Sequence, residues 1–212
     1  MKTYLVEFIG TFFLVLGAMM YGAVGASLAL MVMIYAGGHI SGAHYNPAVT
    51  LAVLIRGKAT LGQAIPYWIA QFAGAIGAAV IVYYVFEKQG TADCVIAADG
   101  TAKAIVAELI GTFALAYVVL NVATTKGTQG NSFYGIAIGG TILGMSWIVG
   151  SFSGGAFNPA VAVGLCIQKS FCWAQIWIYL VACFGGGTLA AIVFNYINVD
   201  DKPAPPIPDA GE

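Results

Sequence analysis

The sequence predicts an all-α polytopic membrane protein with six transmembrane helices and two re-entrant half-helices, arranged as two inverted repeats. Composition is the first reason, because 60% of the 212 residues are hydrophobic and only 8% are charged. A soluble domain usually has about a quarter of its residues charged. The lengths of the apolar runs and an internal duplication are the other two reasons, and they set the order of the elements.

Charge and cysteine usage exclude several function classes. The net charge of −1 argues against nucleic acid as a partner, because phosphate contacts need clustered Lys or Arg. The four cysteines have no metal-ligand spacing, and no nucleophile–base pair stands out, so we expect no metal, no cofactor and no enzyme activity. Cys166 and Cys183 fit apolar packing. Cys94 lies in a polar loop, where a free thiol and a contact between subunits are both open.

Six apolar runs approach the ~20 residues that a helix needs to cross ~30 Å of hydrocarbon. Two further apolar pieces, 47–56 and 159–168, are too short to span alone at a rise of ~1.5 Å per residue. The first run continues past residue 20 without a cleavage site, so we expect it to remain as the first span. The six runs are residues 3–22, 25–40, 63–86, 103–122, 131–151 and 173–197.

An internal duplication relates the two halves of the chain. VEFIGTFFLVL (6–16) is similar to AELIGTFALAY (107–117), and YNPAVTLAVLIRG (45–57) is similar to FNPAVAVGLCIQK (157–169). The offset is 101 residues for the first pair and 112 for the second. Each repeat holds three spans, which is an odd number, so the second copy enters the membrane from the opposite side.

The Asn-Pro dipeptides at 46–47 and 158–159 are helix-start signals, because Pro is favoured at the first helical position and Asn at the cap. Two half-helices entering from opposite sides would meet end to end near the midplane. The preceding stretches, 38–44 and 150–155, would then be extended backbone, which a membrane tolerates only where it lines an aqueous cavity. The sequence therefore predicts a pore.

The junction of the half-helices predicts the class of solute. Each helix N-terminus carries about half a positive elementary charge, so the two together repel cations, including hydronium. The side-chain amides of Asn46 and Asn158 can donate hydrogen bonds to a solute oxygen. We therefore expect water and small uncharged solutes to pass and protons to be excluded.

At these residues the sequence strongly resembles the aquaporin, or major intrinsic protein, family. The resemblance covers about residues 3–197 and includes SGAHYNPAVT (41–50) and two ExxGTF openings, at Glu7 and Glu108. It implies a homotetramer of six-span subunits in a lipid bilayer, each subunit with its own pore. The two NPA boxes are Asn46, Pro47 and Ala48, and Asn158, Pro159 and Ala160.

The sequence departs from the family pattern at the selectivity filter. Water-selective members place an Arg directly after the second NPA box, where this chain has Val161. Counting from the motif asparagines assigns the other filter positions to Ala26, Ser146 and Gly155, with Ser27 replacing Ala26 if the register shifts by one. These residues predict a wide filter that passes solutes such as urea, ammonia or glycerol. Some plant vacuolar members of the family also carry Val after the NPA box, and they resemble this chain in permitting urea and ammonia.

The domain organisation follows from the repeats. Residues 1–197 form a single channel domain with repeats at about 3–88 and 103–197, and the Pro-rich, acidic residues 198–212 predict a disordered cytoplasmic tail. Charge placement favours both termini in the cytoplasm, although the sequence does not say of which membrane. Five basic residues would lie inside (Lys2, Arg56, Lys58, Lys126 and Lys202) and three outside (Lys88, Lys103 and Lys169).

Three ionisable residues have a structural and a functional interpretation. Glu7 and Glu108 lie within spans, where ionisable groups usually mark function, but their symmetric placement favours binding to loop backbone. His39 precedes the first re-entrant turn, where it would support the loop or act as a pH gate.

Two other functions compete with a passive channel. Inverted-repeat secondary transporters also have broken helices at the midplane, although they generally need a charged or ion-coordinating site there. A structural membrane protein with a closed pore is the other alternative. Saturable, gradient-coupled uptake would indicate the transporter, and absence of flux with normal assembly would indicate the structural protein.

Overall fold

The computed structural model describes residues 1–91, 94–97 and 99–201, and within them all regular structure is helical. Five of the described helices are long and apolar enough to cross a membrane. A π-helical turn, Ile81–Val85, continues the third helix. The α-helices are α1 Lys2–Ser41, α2 Pro47–Ile55, α3 Leu61–Val80, α4 Thr101–Ala123, α5 Tyr134–Val149, α6 Pro159–Ile167 and α7 Ile176–Ile197.

Helix α1 contains two of the six predicted spans. Its 40 residues fold back at Tyr21 and Gly22, where the backbone leaves the helical region and Gly22 adopts a φ of 59°. A Cβ atom added to Gly17 would overlap the Gly25 carbonyl, so the arms on either side of the bend touch there. The predicted runs 3–22 and 25–40 are therefore the two arms of one helical hairpin, which makes six spans in all.

The two short apolar runs form the half-helices α2 and α6, as predicted. The non-helical backbone that precedes them begins three or four residues later than the sequence indicated. Helix α1 continues through Ser41 and ends at Gly42, whose φ of 85° lets its N–H bond to Gly38 O. Residues 150–152 form a 3-10 turn. Of the described backbone that leads into α2 and α6, only residues 42–46 and 153–158 are non-helical, because the preceding spans extend further into the loop than their composition suggested.

Glycines allow two helices within each repeat to pack closely, and the same contact occurs in both repeats. A Cβ added to Gly74 of α3 would overlap Phe8 O, and one added to Gly186 of α7 would lie 2.5 Å from Leu109 O. The pairs are equivalent, since Gly74 and Gly186 differ by 112 positions and Phe8 and Leu109 by 101. The same backbone-to-backbone contact thus closes both halves of the protein.

Residues 198–201, the first part of the tail that the sequence predicted to be disordered, are held against the rest of the protein. Residues Val199–Asp201 form a 3-10 turn, and the remainder of the predicted tail, 202–212, lies outside the described residues. The buried Arg56 donates to Asp201 O at 2.6 Å, and the Asp201 carboxylate accepts from the Thr125 hydroxyl and from Lys126 N. A buried guanidinium needs such an acceptor, so this contact fixes the position of residues 199–201.

Replacing Gly186 by Ala should lower the free energy of unfolding by at least ~1–3 kcal/mol, the usual cost of overpacking. The added methyl group would meet Leu109 O at 2.5 Å, so α4 and α7 would have to separate. Unfolding in mixed micelles measures the change. Gly140→Ala is the control, since nothing lies within 4 Å of a Cβ there. Equal stability of the two variants would contradict the close-packing interpretation.

Candidate pore

The N-termini of α2 and α6 meet head to head, held by two reciprocal hydrogen bonds. Asn46 Nδ2 donates to Phe157 O at 2.9 Å, and Asn158 Nδ2 donates to Tyr45 O at 2.9 Å. Each asparagine therefore binds the carbonyl group that directly precedes the other asparagine. From the sequence we expect these amides to donate to a solute oxygen. One N–H of each is instead used to join the repeats, and because an amide has two N–H groups, one remains for a solute.

The same asparagines cap the half-helices. Asn46 Oδ1 accepts from Ala48 N and Asn158 Oδ1 accepts from Ala160 N, both at 2.9 Å. Both asparagines have extended backbone, with φ of −155° and −160°, and each is followed by Pro at the first helical position. The geometry is that of a side-chain-capped helix start, so local sequence alone sets where each half-helix begins.

Glu108 is fully buried and binds the loop that precedes α6. Its Oε1 accepts from Ser153 Oγ at 2.6 Å and from Ala156 N at 2.9 Å, and its Oε2 accepts from Phe157 N at 2.7 Å. Cys183 Sγ also lies 3.5 Å from Oε2, as a donor. The carboxylate thus satisfies two backbone N–H groups that have no helical partner.

Glu7 does the same for the loop that precedes α2. It accepts from Ser41 Oγ at 2.7 Å, from His44 N at 3.0 Å and from Tyr45 N at 2.7 Å. Gln71, equivalent to Cys183 by the repeat offset, donates to Glu7 Oε2 at 2.8 Å. Neither glutamate lines the cavities described next, so the structure places both in the loop-binding position that the sequence analysis weighed against a functional one.

Four cavities follow one another through the protein, and neighbours share lining residues. We call the side of the chain ends the terminal face. The widest cavity, about 530 Å³, opens there and is lined by His39, Lys58 and the loop 124–131. A cavity of about 260 Å³ and a midplane cavity of about 10 Å³ follow, sharing His44 and Val119. The fourth, about 60 Å³, lies on the opposite side and shares Leu14 and Ile142 with the midplane cavity.

The predicted filter residues come together in the fourth cavity. Ala26, Ser146, Gly155 and Val161, supplied by α1, α5, the loop before α6, and α6, all line it. The register alternative Ser27 does not, because its hydroxyl donates to Gly139 O at 2.7 Å in the contact between α1 and α5. The asparagines of both NPA boxes line the midplane cavity.

The sequence profile of the family described as Major intrinsic protein matches residues 1–194. Together with the head-to-head NPA helices, this match decides the family. The chain belongs to the major intrinsic protein family. It is accordingly an integral membrane channel and not an enzyme.

Individual relatives agree with this assignment. The chain is 32% identical over 210 residues to "Aquaporin NIP1-4" from Oryza sativa subsp. japonica, with 92% of this chain and 76% of the relative covered. It is 36% identical over 185 residues to "Probable aquaporin TIP2-2" from the same plant, covering 86% and 73%. The aquaglyceroporin from Plasmodium falciparum has the same fold, with a TM-score of 0.79, 22% identity, and 94% and 98% of the two chains covered.

Cys94 is in a disulfide with Cys172, so neither alternative that the sequence left open for it is correct. The bond joins the loop after α3 to the loop before α7, across 78 residues of sequence. Gly90 N also donates to Gln168 O at 2.9 Å, and Gln175 Nε2 donates to Ile96 O at 2.7 Å. No spacing pattern predicts such a pairing, because the repeat topology alone brings the two loops together.

Cys166 and Cys183 are buried and free.

The two histidines have different positions. His39 is exposed on the terminal face at the widest cavity, and within the described residues it makes no hydrogen bond to loop backbone. His44, which the sequence analysis left outside the candidate site, lines two of the cavities. Its Nδ1 lies 3.1 Å from Thr50 Oγ1, and its ring meets the edge of Tyr67. Its place two residues before Asn46 of the NPA box was the available signal.

Glu108→Gln should destabilise the protein by ~1–3 kcal/mol and reduce flux, because an amide has one acceptor oxygen where the carboxylate has two. Either Phe157 N or the pair Ser153 and Ala156 would lose its acceptor. Unfolding in micelles and flux in proteoliposomes measure the two effects. Glu87→Gln, in an exposed loop, is the control. A stable, fully conducting Glu108→Gln variant would show that the carboxylate does not hold the loop.

Proposed function

We propose that this protein is a passive channel for water and small neutral solutes such as urea, ammonia or glycerol, with a wide filter that lacks arginine. The observation that carries the proposal is the convergence of Ala26, Ser146, Gly155 and Val161 on one cavity of about 60 Å³. A single water needs roughly 10–15 Å³ of such volume, so this cavity has room for several waters or one small solute. No large or charged side chain is among these four positions.

The electrostatics of the midplane support neutral solutes. Both half-helix N-termini are directed at the junction, and each contributes a partial positive charge that disfavours cations. The midplane cavity is lined mainly by apolar side chains, with Asn46, Asn158 and His44 as its polar side chains. A solute oxygen can accept from the free N–H of each asparagine, which we expect to orient water and interrupt proton transfer along a water chain.

We place the termini in the cytoplasm. The disulfide Cys94–Cys172 supports this orientation, because disulfides persist in oxidising compartments and this one lies on the face opposite the chain ends. The excess of basic residues on the terminal face agrees with it. We further propose the homotetramer that is usual for the family.

Two alternatives remain as outcomes of the flux experiments. A secondary transporter would need a coupling site, and the buried carboxylates of Glu7 and Glu108 are instead bound to loop backbone. A closed, structural protein is favoured by one observation, the midplane cavity of only about 10 Å³. Stopped-flow light scattering on proteoliposomes separates these alternatives from a channel. Flux that rises linearly with the gradient indicates a pore, saturable coupled uptake a transporter, and no flux a closed protein.

Val161→Arg should reduce urea and glycerol flux about tenfold more than water flux, since poorer fit in a tight site costs ~1–3 kcal/mol. The guanidinium would occupy the 60 Å³ cavity beside Ser146 and Gly155. Val161→Met is the matched control, which adds volume without charge. If both variants conduct every solute as the parent does, Val161 does not line the limiting filter. An equal loss of water and solute flux would also contradict the assignment.

The proposed orientation predicts where the disulfide can be reached. In intact cells a membrane-impermeant reductant should free Cys94 and Cys172, so that an impermeant maleimide then labels both. The Cys94→Ser, Cys172→Ser double variant should take up no label, because Cys166 and Cys183 are buried. Labelling of the parent only after the cells are opened would place the termini outside.

A further inference from the structure

The internal repeat assigns each filter position a counterpart on the other side of the midplane. Adding the offset of 112 to Ala26 gives Ile138, and subtracting it from Gly155 and Val161 gives Ala43 and Val49. These three counterparts all line the midplane cavity. The fourth counterpart, Ile34, equivalent to Ser146, lines the wide cavity at the terminal face.

The two cavities differ in volume although many of their lining residues are equivalent by the repeat. The cavity at the filter measures about 60 Å³, whereas the midplane cavity measures about 10 Å³, close to the least volume that holds one water. The midplane cavity is therefore the smaller of the two. We call the apolar side chains around it the midplane collar: Leu14, Leu30, Val49, Leu115, Val119, Ile138 and Ile142.

Most of the midplane collar is symmetric and cannot account for this difference. Leu14 and Leu115 are equivalent by the offset of 101, and Leu30 and Ile142 by the offset of 112, so these pairs contribute similar bulk from both repeats. Ile138 is different, because its equivalent is Ala26, which lies at the filter. Ile138 has a branched side chain at the midplane cavity, whereas Ala26 has a single methyl group at the filter cavity.

A second position acts in the same direction. Val119 of the midplane collar is equivalent to Ala18, by the offset of 101, and Ala18 lines the filter cavity. The difference between valine and alanine is smaller than that between isoleucine and alanine. Among the apolar side chains, Val119 therefore assists in narrowing the midplane and Ile138 contributes the larger part. His44, whose equivalent by the offset of 112 is Ala156 of the filter cavity, adds a third difference in the same direction.

We propose that Ile138 is a specificity-determining residue of this channel and that the size limit lies at the midplane collar instead of at the outer filter. The inference rests on the proposed function, because it presumes that neutral solutes follow the line of cavities. Solutes that pass the wide filter are then sorted by whether they fit beside Ile138. The filter admits them and the midplane collar sets the largest that crosses.

The experiment compares water, urea and glycerol permeability in proteoliposomes of the full-length protein. Ile138→Ala should raise glycerol permeability relative to water about tenfold, the effect of a small change of fit in a tight apolar pocket. Ile138→Val should give a smaller increase in the same direction, and it keeps the test valid if the alanine variant folds poorly. The matched control is Ile136→Ala on the same helix, whose side chain is 58% exposed and outside the cavities.

A reciprocal variant tests the location of the limit. Ala26→Ile in the Ile138→Ala background should lower the glycerol-to-water permeability ratio back toward that of the parent, since it moves the same bulk to the equivalent site of the other repeat. If folded Ile138→Ala and Ile138→Val both keep the glycerol-to-water ratio of the parent, the inference is wrong while the proposed channel function stands. If the parent passes neither water nor any solute, the proposed function itself fails, and the inference fails with it.

Discussion

Two buried carboxylates make the irregular backbone of this channel possible. Non-helical residues at membrane depth have N–H groups that lipid cannot satisfy, each at a cost of several kcal/mol. Glu108 accepts from Ala156 N and Phe157 N, and Glu7 accepts from the equivalent groups of the first repeat. The loops can then turn back toward the midplane, where each leads into the first residue of a half-helix. Without those acceptors the loops that lead to the head-to-head junction would contain unsatisfied N–H groups at membrane depth.

The junction itself depends on a second constraint, the reciprocal bonds between the repeats. Asn46 binds Phe157 O and Asn158 binds Tyr45 O, so each half-helix is positioned by the loop of the other. This couples the two repeats at the centre of the pore. Each asparagine amide has a second N–H, and our proposal assigns it to a solute oxygen between the two helix N-termini.

The main structural contacts are the same in both repeats, whereas the selectivity that we propose depends on positions where the two repeats differ. The carboxylates, the glycine contacts and the capped half-helices occur twice with the same geometry. The filter cavity and the midplane cavity do not, because Ala26 and Ile138 occupy equivalent positions with unequal side chains. A duplicated fold can thus keep its packing while single positions on either side of the midplane adjust the width.

The sequence by itself determined the spans, the two half-helices and their asparagine caps, because apolar length and helix-start signals act over a few residues. It also indicated the inverted repeats, and it singled out four residues, Ala26, Ser146, Gly155 and Val161, that line one cavity. The tertiary structure decided the Cys94–Cys172 pairing, the extent of the loops, the second bond of each asparagine and the place where the cavities narrow. Each of these joins segments far apart in sequence, and their distance in space is set by how the two repeats pack.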